Sequence, residues 1–495
     1  MLSPDDYTRH DATALATLVA NGDVTADELL DAALSLAREH DPALGMLVHV
    51  DEALARRRIA AGLPGGPFRG VPFLLKDLGA ESVDFPSSGG SRLLADTRYA
   101  RDSSIVERLN AAGLVTFGRT TAPEGGVGPV TEAAVYGHPT RNPWDRSRTP
   151  GGSSGGAAAA VASGVVPAAH GSDGGGSIRI PASCCGLFGF KATRARVPDG
   201  PYAGEGWAGM AIDGFLTRSV RDSAALLDAV AGPDPGAPYH PPPLRGTLLG
   251  ATGTPPPRLR VGLLDTRFDG TPIEPEVREA VLAAASLLGE LGHHVEPFRP
   301  AVDVPAMMQA WTDIVACGTA LWIERALARE GRTLVDGDVE PLARSAREHA
   351  RSISGTDYLA AVETVHAFGR DMEAAFAGEL PAAPRGGSAA SGIDVLLCAT
   401  LAEPPARIGR FDHSRADYVD YRLGPDGVFA HSPFTAIFNA SGQPAASLPL
   451  HVTESGLPVG VHLACAFGED ERLLSLCAEI ETAAPWFERR PPATR

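Results

Sequence analysis

Two serines sit among glycines in a way that could expose a hydroxyl to a substrate. Ser153 lies in Gly151-Gly152-Ser153-Ser154-Gly155-Gly156. Ser177 closes the run Gly171-Ser172-Asp173-Gly174-Gly175-Gly176-Ser177, ahead of Ile178-Arg179-Ile180-Pro181. A serine hydroxyl becomes a useful nucleophile when a neighbouring base takes its proton and backbone N–H groups face the oxyanion that develops. Three successive glycines before Ser177 permit backbone conformations that bring several N–H groups to one oxygen. The plain alternative, for any single Gly-Ser run, is an ordinary loop.

Other serine and glycine motifs fit poorly. Gly151-x-Ser153-x-Gly155 has the letters of a nucleophile elbow, which must follow a strand, yet Arg141-Asn142-Pro143-Trp144-Asp145 and Pro150 precede it. Gly189-Phe190-Lys191-Ala192-Thr193 misses the Gly-Lys-Ser/Thr of a phosphate loop, and neither serine belongs to a Ser-x-x-Lys pair. Histidine supplies no evident base: His170 lies seven residues before Ser177, His138, His431, His451 and His462 are scattered, and each reads as a surface or packed residue. Without His-x-x-x-His or a Cys/His cluster, neither a metal nor another cofactor is expected. Lysine is the remaining source of a base. The chain has only two, Lys76 and Lys191, while arginine supplies the other 41 basic side chains. Lys76 ends the apolar run Gly70-Val71-Pro72-Phe73-Leu74-Leu75. Burial there favours the neutral amine, which becomes a base near neutral pH if its pKa drops by about 3 units. Lys191 lies just downstream of the Ser177 loop and reads as structural.

These segments resemble the amidase signature family of Ser-Ser-Lys hydrolases. The resemblance runs through Gly70 to Asp77, Gly151 to Gly156, Gly171 to Pro181, Cys185-Gly186-Leu187-Phe188-Gly189-Phe190-Lys191 and Phe438-Asn439-Ala440-Ser441-Gly442-Gln443-Pro444-Ala445, and the serines keep the family interval of 24 positions. Within the family, the length and the ends look most like 6-aminohexanoate cyclic dimer hydrolases. The resemblance implies hydrolysis of a carboxamide C–N bond, with Ser177 as nucleophile, Ser153 (after a cis peptide bond) as proton relay and Lys76 as base. It further implies an oxyanion hole from the N–H groups of Gly174, Gly175, Gly176 and Ser177, with Ser154, Asp173 and Arg179 in support. Three stretches depart from the family pattern: Gly174 replaces a usual Thr or Asn, Lys191 to Arg196 lacks a usual Pro and Gly, and Glu124 to Val130 lacks the expected polar or methionine pattern. None touches the trio. A glutamine-amidotransferase A-type subunit and a catalytically silent binding protein of the same fold are the alternatives.

The elements that must position these residues follow from periodicity and punctuation. Thr25 and Glu28 form a capping box opening a helix toward His40, and a helix over Ser104–Ala112 precedes a strand over Leu114–Phe117. Ala157–Ser163 reads as helix and Val165–His170 as strand, so the Gly/Ser/Ala-rich segment is structured. Nine prolines mark 233–257 as a surface excursion. A strand at Arg260–Leu264, a helix at Glu274–Leu291, mostly helix over 304–381, a strand at Asp394–Cys398 and a hairpin of Ala445–Leu450 with Val459–Ala464 complete the pattern. The expectation is a single large α/β domain over 1–495, with a central mixed, mostly parallel twisted β-sheet covered by helices on both faces. Its parts are a helical segment over about 1–60, the signature core over about 65–230, the excursion at 233–257 and an α/β portion over 258–495.

Composition narrows the class. With 60 acidic against 43 basic side chains, the net charge is −17, which argues against nucleic acid as a partner. Hydrophobic residues make up 44% and charged residues 21%, an ordinary globular balance rather than a disordered one. No apolar run is long enough to span a membrane, the start Met1-Leu2-Ser3-Pro4-Asp5-Asp6 is unlike a signal peptide, and the six cysteines show no Cys-x-x-Cys spacing. A cytoplasmic protein with free thiols, acting on a small-molecule amide, is expected; a homodimer would be unsurprising.

Overall fold

The run that carries Lys76 is a strand with every side chain buried, Pro72–Lys76. In the computed structural model, which describes residues 2–380 and 392–492, it is the second of eleven strands. These are β1 (Leu47–Val48), β2 (Pro72–Lys76), β3 (Val115–Thr120), β4 (Ala168–Asp173), β5 (Phe188–Lys191), β6 (Ile212–Thr217), β7 (Arg260–Leu263), β8 (His294–Pro297), β9 (Val395–Ala399), β10 (Ala445–Val452) and β11 (Pro458–Cys465). A small sheet has the order β1-β3-β2, and a large one β4-β6-β5-β10-β11-β9-β7-β8. The small sheet reaches the large one where β2 packs beside β4.

The large sheet is mixed, but its pairings are mainly antiparallel, which corrects the expectation of a mostly parallel sheet. Only β9–β7 and β7–β8 run parallel. The helix Arg179–Cys185 does return the chain so that β5 has the sense of β4. β6 then inserts between them, antiparallel to both. Chain order alone suggests that strands joined by a helix are neighbours, and here a later strand separates them. The hairpin around Glu454-Ser455-Gly456 joins β10 and β11 antiparallel, as its turn residues imply.

Alternation along the strands explains how both faces are covered. Gly189 on β5 and Gly460 on β11 let the helix Arg179–Cys185 approach, since a Cβ would stand 2.6 Å from Ala182 Cβ at the first and 2.7 Å from Ser183 Cβ at the second. Phe188 and Phe190 point to the opposite face, where Trp486 stacks on Phe188 with centroids 6.5 Å apart. One apolar core runs from Tyr7 to Trp486, and a smaller cluster around Leu93, Ile323 and Leu327 adjoins it.

The helices sit close to expectation: Ala26–Leu44 has the Thr25/Glu28 capping box, and the others include Ser104–Ala111, Gly155–Ala162 and Pro275–Glu290. Val304–Glu330, Pro341–Ala350 and Gly355–Ala377 account for the helical stretch from 304, whose expected far bound, residue 381, lies outside the described residues. The proline-rich stretch carries one short helix, Leu248–Ala251. β3 continues past Phe117 to Thr120, and β4 starts three residues later than expected and runs on to Asp173. Among the described residues no helix is long and apolar enough to cross a membrane, and the six cysteines are free thiols.

Candidate active site

β4 ends at Asp173, and the chain turns through Gly174–Gly176 to Ser177 before the helix Arg179–Cys185. The Asp173 carboxylate holds that turn from inside, accepting the N–H of Gly176 at 2.7 Å and of Ile178 at 3.1 Å. Arg179 grips it with two parallel bonds, Nε to Oδ2 at 2.9 Å and Nη2 to Oδ1 at 2.8 Å, both side chains being fully buried. Burial opposes ionisation of Asp173, yet the Arg179 charge and hydrogen bonds hold its carboxyl well below the usual carboxylate range. Asn439 closes the network, donating to Asp173 O and Oδ1 at 2.9 Å each and accepting from Arg179 Nη2 at 2.7 Å. Such a pair is costly to break, because the surviving charge stays buried without a partner.

The carbonyls of the same turn are pinned one by one. Gly174 O accepts from Trp311 Nε1 at 3.0 Å, and Gly175 O accepts from Thr435 Oγ1 at 2.7 Å. In a trans peptide the N–H points opposite to the C=O. The bond from Asn439 to Asp173 O therefore turns the Gly174 N–H away from Asn439, and the Trp311 bond turns the Gly175 N–H away from Trp311. Gly176 departs from expectation. Its N–H, directed away from Thr435, is engaged by Asp173 Oδ1 and is not free to face an oxyanion. Gly174 also has a local reason to be glycine, since a Cβ there would stand 2.5 Å from Trp207 Cζ3.

Lys76 reaches this turn from the end of β2. Its Nζ lies 2.7 Å from Ser153 Oγ and 2.9 Å from Ser172 Oγ on β4. Its backbone N–H donates to His170 Nδ1 at 3.2 Å, and His170 Nε2 faces Asp213 Oδ1 at 3.2 Å. An acceptor at Nδ1 puts the proton of a neutral imidazole on Nε2, toward Asp213. His170 is therefore a packed residue beneath the lysine backbone. Burial brings the Lys76 pKa down from 10.5 to about 7, against the pull of the Asp213 and Asp173 charges. Arg119, fully buried, donates to Lys76 O at 2.6 Å and to Ala80 O at 2.8 Å, fixing the turn beyond the strand.

The Gly152–Ser153 peptide is cis. Ser154 ties the two serine segments together: its N–H donates to Ser177 O at 3.2 Å, and its Oγ accepts from Ser172 N at 3.3 Å. Lys76, Ser153, Ser154, Asp173, Ser177 and Arg179 are thus gathered at one place. Ser177, 9% exposed, lines a small cavity that it shares with Gly175, Trp207, Trp311, Arg422 and Phe429. Lys191 stands apart from the trio. It is buried on β5, its Nζ donates to Ala192 O at 2.8 Å, and burial together with the Arg179 charge brings its pKa to about 7. Among the described residues no group of three or more His, Cys, Asp or Glu side chains could hold a metal ion.

Sequence reasoning gave no role to Ser172 or Asn439, although both lie inside motifs it singled out. Trp311 and Thr435 carried no signal. They meet the glycine turn across 137 and 260 positions of chain, and no local pattern encodes such a contact.

Comparison with known proteins agrees with this geometry. The family model described as Amidase matches residues 28–474. The chain is 35% identical to the 6-aminohexanoate-cyclic-dimer hydrolase of Paenarthrobacter ureafaciens over 489 residues, covering 97% of this chain and 96% of that one. A solved structure of 6-aminohexanoate cyclic dimer hydrolase superposes with a TM-score of 0.89 at 34% identity, covering 99% of each chain. That of a bacterial aryl acylamidase of the amidase signature family superposes with a TM-score of 0.84 at 28% identity, covering 98% of this chain and 99% of the other. The chain belongs to the amidase family and is a hydrolase of amide carbon–nitrogen bonds.

Proposed function

We propose that the chain cleaves carboxamides through an acyl-enzyme on Ser177, with Ser153 relaying protons between Ser177 and Lys76. The observation that carries this reading is the 2.7 Å contact of a fully buried lysine amine with Ser153 Oγ, in a segment bonded to the Ser177 turn. With its pKa lowered to about 7, about half of Lys76 is neutral at neutral pH, and its lone pair accepts the Ser153 proton. Ser153 in turn takes the proton of Ser177 as Ser177 Oγ bonds to the amide carbon. The negative charge that develops on the amide oxygen meets the N–H groups of Gly174, Gly175 and Ser177, whose peptide planes are fixed beforehand by the bonds that Asn439, Trp311 and the Ile180 N–H give to the carbonyls of Asp173, Gly174 and Gly176. As the C–N bond breaks, the same relay runs backward and protonates the departing amine. Water then enters by the amine's route, gives its proton to the relay and releases the carboxylate from Ser177.

The relatives' names point to the cyclic dimer of 6-aminohexanoate, and linear amides of the same type are the further substrates proposed. The test is to incubate the isolated chain with the cyclic dimer and with linear 6-aminohexanoate amides and to measure amine release. Turnover without a second protein supports the reading. Turnover of glutamine that requires a partner subunit instead identifies an amidotransferase subunit.

A further inference from the structure

Arg422 lines the same cavity as Ser177, on the short helix Tyr418–Leu423. It is only 2% exposed. Among the described residues four other arginines are buried, and each has at least one acceptor even where, in Arg196 and Arg218, Nε is unmet: Arg179 holds Asp173, Arg196 holds Asp470, and Arg119 and Arg218 donate to backbone carbonyls. Arg422 is different. Its Nε and Nη2 are buried without an acceptor, and no described carboxylate pairs with it. Its surroundings are aromatic faces: the guanidinium carbon lies 4.8 Å from the Trp311 ring centroid, 5.5 Å from that of Tyr418 and 5.6 Å from that of Tyr421. The Tyr418 hydroxyl engages it, but that hydroxyl is neutral and gives its own proton to Thr312 O at 3.0 Å.

Aromatic stacking attracts a guanidinium, but it leaves the planar N–H donors without acceptors. A buried cation with unmet donors is unfavourable unless something supplies the anion, and a carboxylate matches the guanidinium fork in shape and charge. Trp207, Trp311, Val428 and Phe429 make the other walls of the cavity apolar, so water competes little for such a pair and its attraction is strong.

We propose that Arg422 binds a carboxylate carried by the substrate, so that the enzyme prefers amides bearing an acid group at the end of a short chain over neutral amides. This rests on the reading of Ser177 as the nucleophile of an amide hydrolase. Ser177 cleaves the amide while Arg422 holds the far end; because both line one small cavity, the chain between amide and acid is short. A neutral cyclic amide leaves Arg422 unpaired, whereas a linear amide of 6-aminohexanoate satisfies it.

The experiment compares matched pairs that differ by the acid group in each half of the amide. Adipic acid mono-4-nitroanilide is set against hexanoyl-4-nitroanilide, and N-acetyl-6-aminohexanoate against N-acetylhexylamine. In the wild type, kcat/KM should be at least about tenfold higher for the acid member of one pair. Arg422→Gln should bring that ratio close to one. Arg422→Lys, which keeps the charge and loses the fork, should leave it lowered but above one, and serves alone if the glutamine variant does not fold. A merely structural arginine would lower the rates for both members and leave the ratio unmoved. Cleavage of the neutral amides with no preference for either acid refutes the subsite and leaves amide hydrolysis standing. An acid preference that survives unchanged in either variant also refutes it. No cleavage of any of the four by folded wild-type protein that turns over the cyclic dimer refutes the subsite and leaves amide hydrolysis standing, whereas failure on the cyclic dimer as well refutes the reading of Ser177 and the subsite with it.

Discussion

Lys76→Met removes the amine and keeps most of the length and apolar bulk of the side chain. Burial brings the lysine from 10.5 to about 7, and at about 1.4 kcal/mol per pH unit its protonated form is about 5 kcal/mol less favourable in the native protein than in the unfolded chain. Below pH 7 both states carry the proton, and the native state bears that whole penalty. Between about pH 7 and 10.5 the unfolded chain still binds a proton that the native amine has lost, so native stability rises with pH across that window. The variant escapes the penalty but gives up contacts with Ser153 and Ser172, worth about 1 kcal/mol each. It should therefore be more stable than wild type by about 3 kcal/mol near pH 6.5, with the advantage gone by about pH 10. Activity moves the other way: wild-type kcat/KM should fall about tenfold per pH unit below 7 as the neutral amine disappears, and the variant should be inactive at every pH. Urea unfolding of both proteins at the two pH values, with a pH profile of kcat/KM, tests this. A stability difference that ignores pH, or a rate that stays flat down to about pH 5, would refute the assignment of a neutral buried base.

Lys76→Arg should cost activity as heavily as Lys76→Ala, at least about 10³-fold in kcat, because arginine cannot give up its proton to act as a base; substantial activity in steady-state assays would remove the lysine from the relay. Asp173→Asn leaves the fully buried Arg179 without its charge partner and should lower stability by about 3–5 kcal/mol in chemical denaturation, with kcat reduced as well. Gly174→Ala drives a methyl group into Trp207 and should lower kcat at least about tenfold by tilting the oxyanion donors. Adding Trp207→Leu to that variant should recover part of the loss, and full activity in the single variant would show that the contact is harmless.

The parts of the site that were legible in the sequence are those carried by short local motifs. The glycine-flanked serines and the lysine at the end of an apolar strand could be named from spacing and residue chemistry, with the family resemblance supplying their roles. The expected brace of Asp173 and Arg179 lies in the same local run, and the two side chains do meet across six positions. What pins the turn from outside was not legible. Trp311 comes from the long helix Val304–Glu330 and Thr435 from the helix Thr435–Ser441, and nothing in either segment announces its target. The same limit explains the sheet. Alternating helices and strands were visible, but β6 inserting between β4 and β5 is a tertiary choice that reverses the local pairing sense. Gly176 shows it at the scale of one bond: the glycine run pointed to N–H donors, while the acceptor that occupies this one could be identified only with Asp173 folded beneath it.

Ser177 is the centre of the account, and mass spectrometry tests it most directly. The protein is mixed with an activated amide or ester, quenched in acid during turnover and analysed intact and after digestion. A mass increase of one acyl group is expected, located on Ser177 and absent from Ser177→Ala. An acyl group on any other residue, or one that persists in Ser177→Ala, would contradict it.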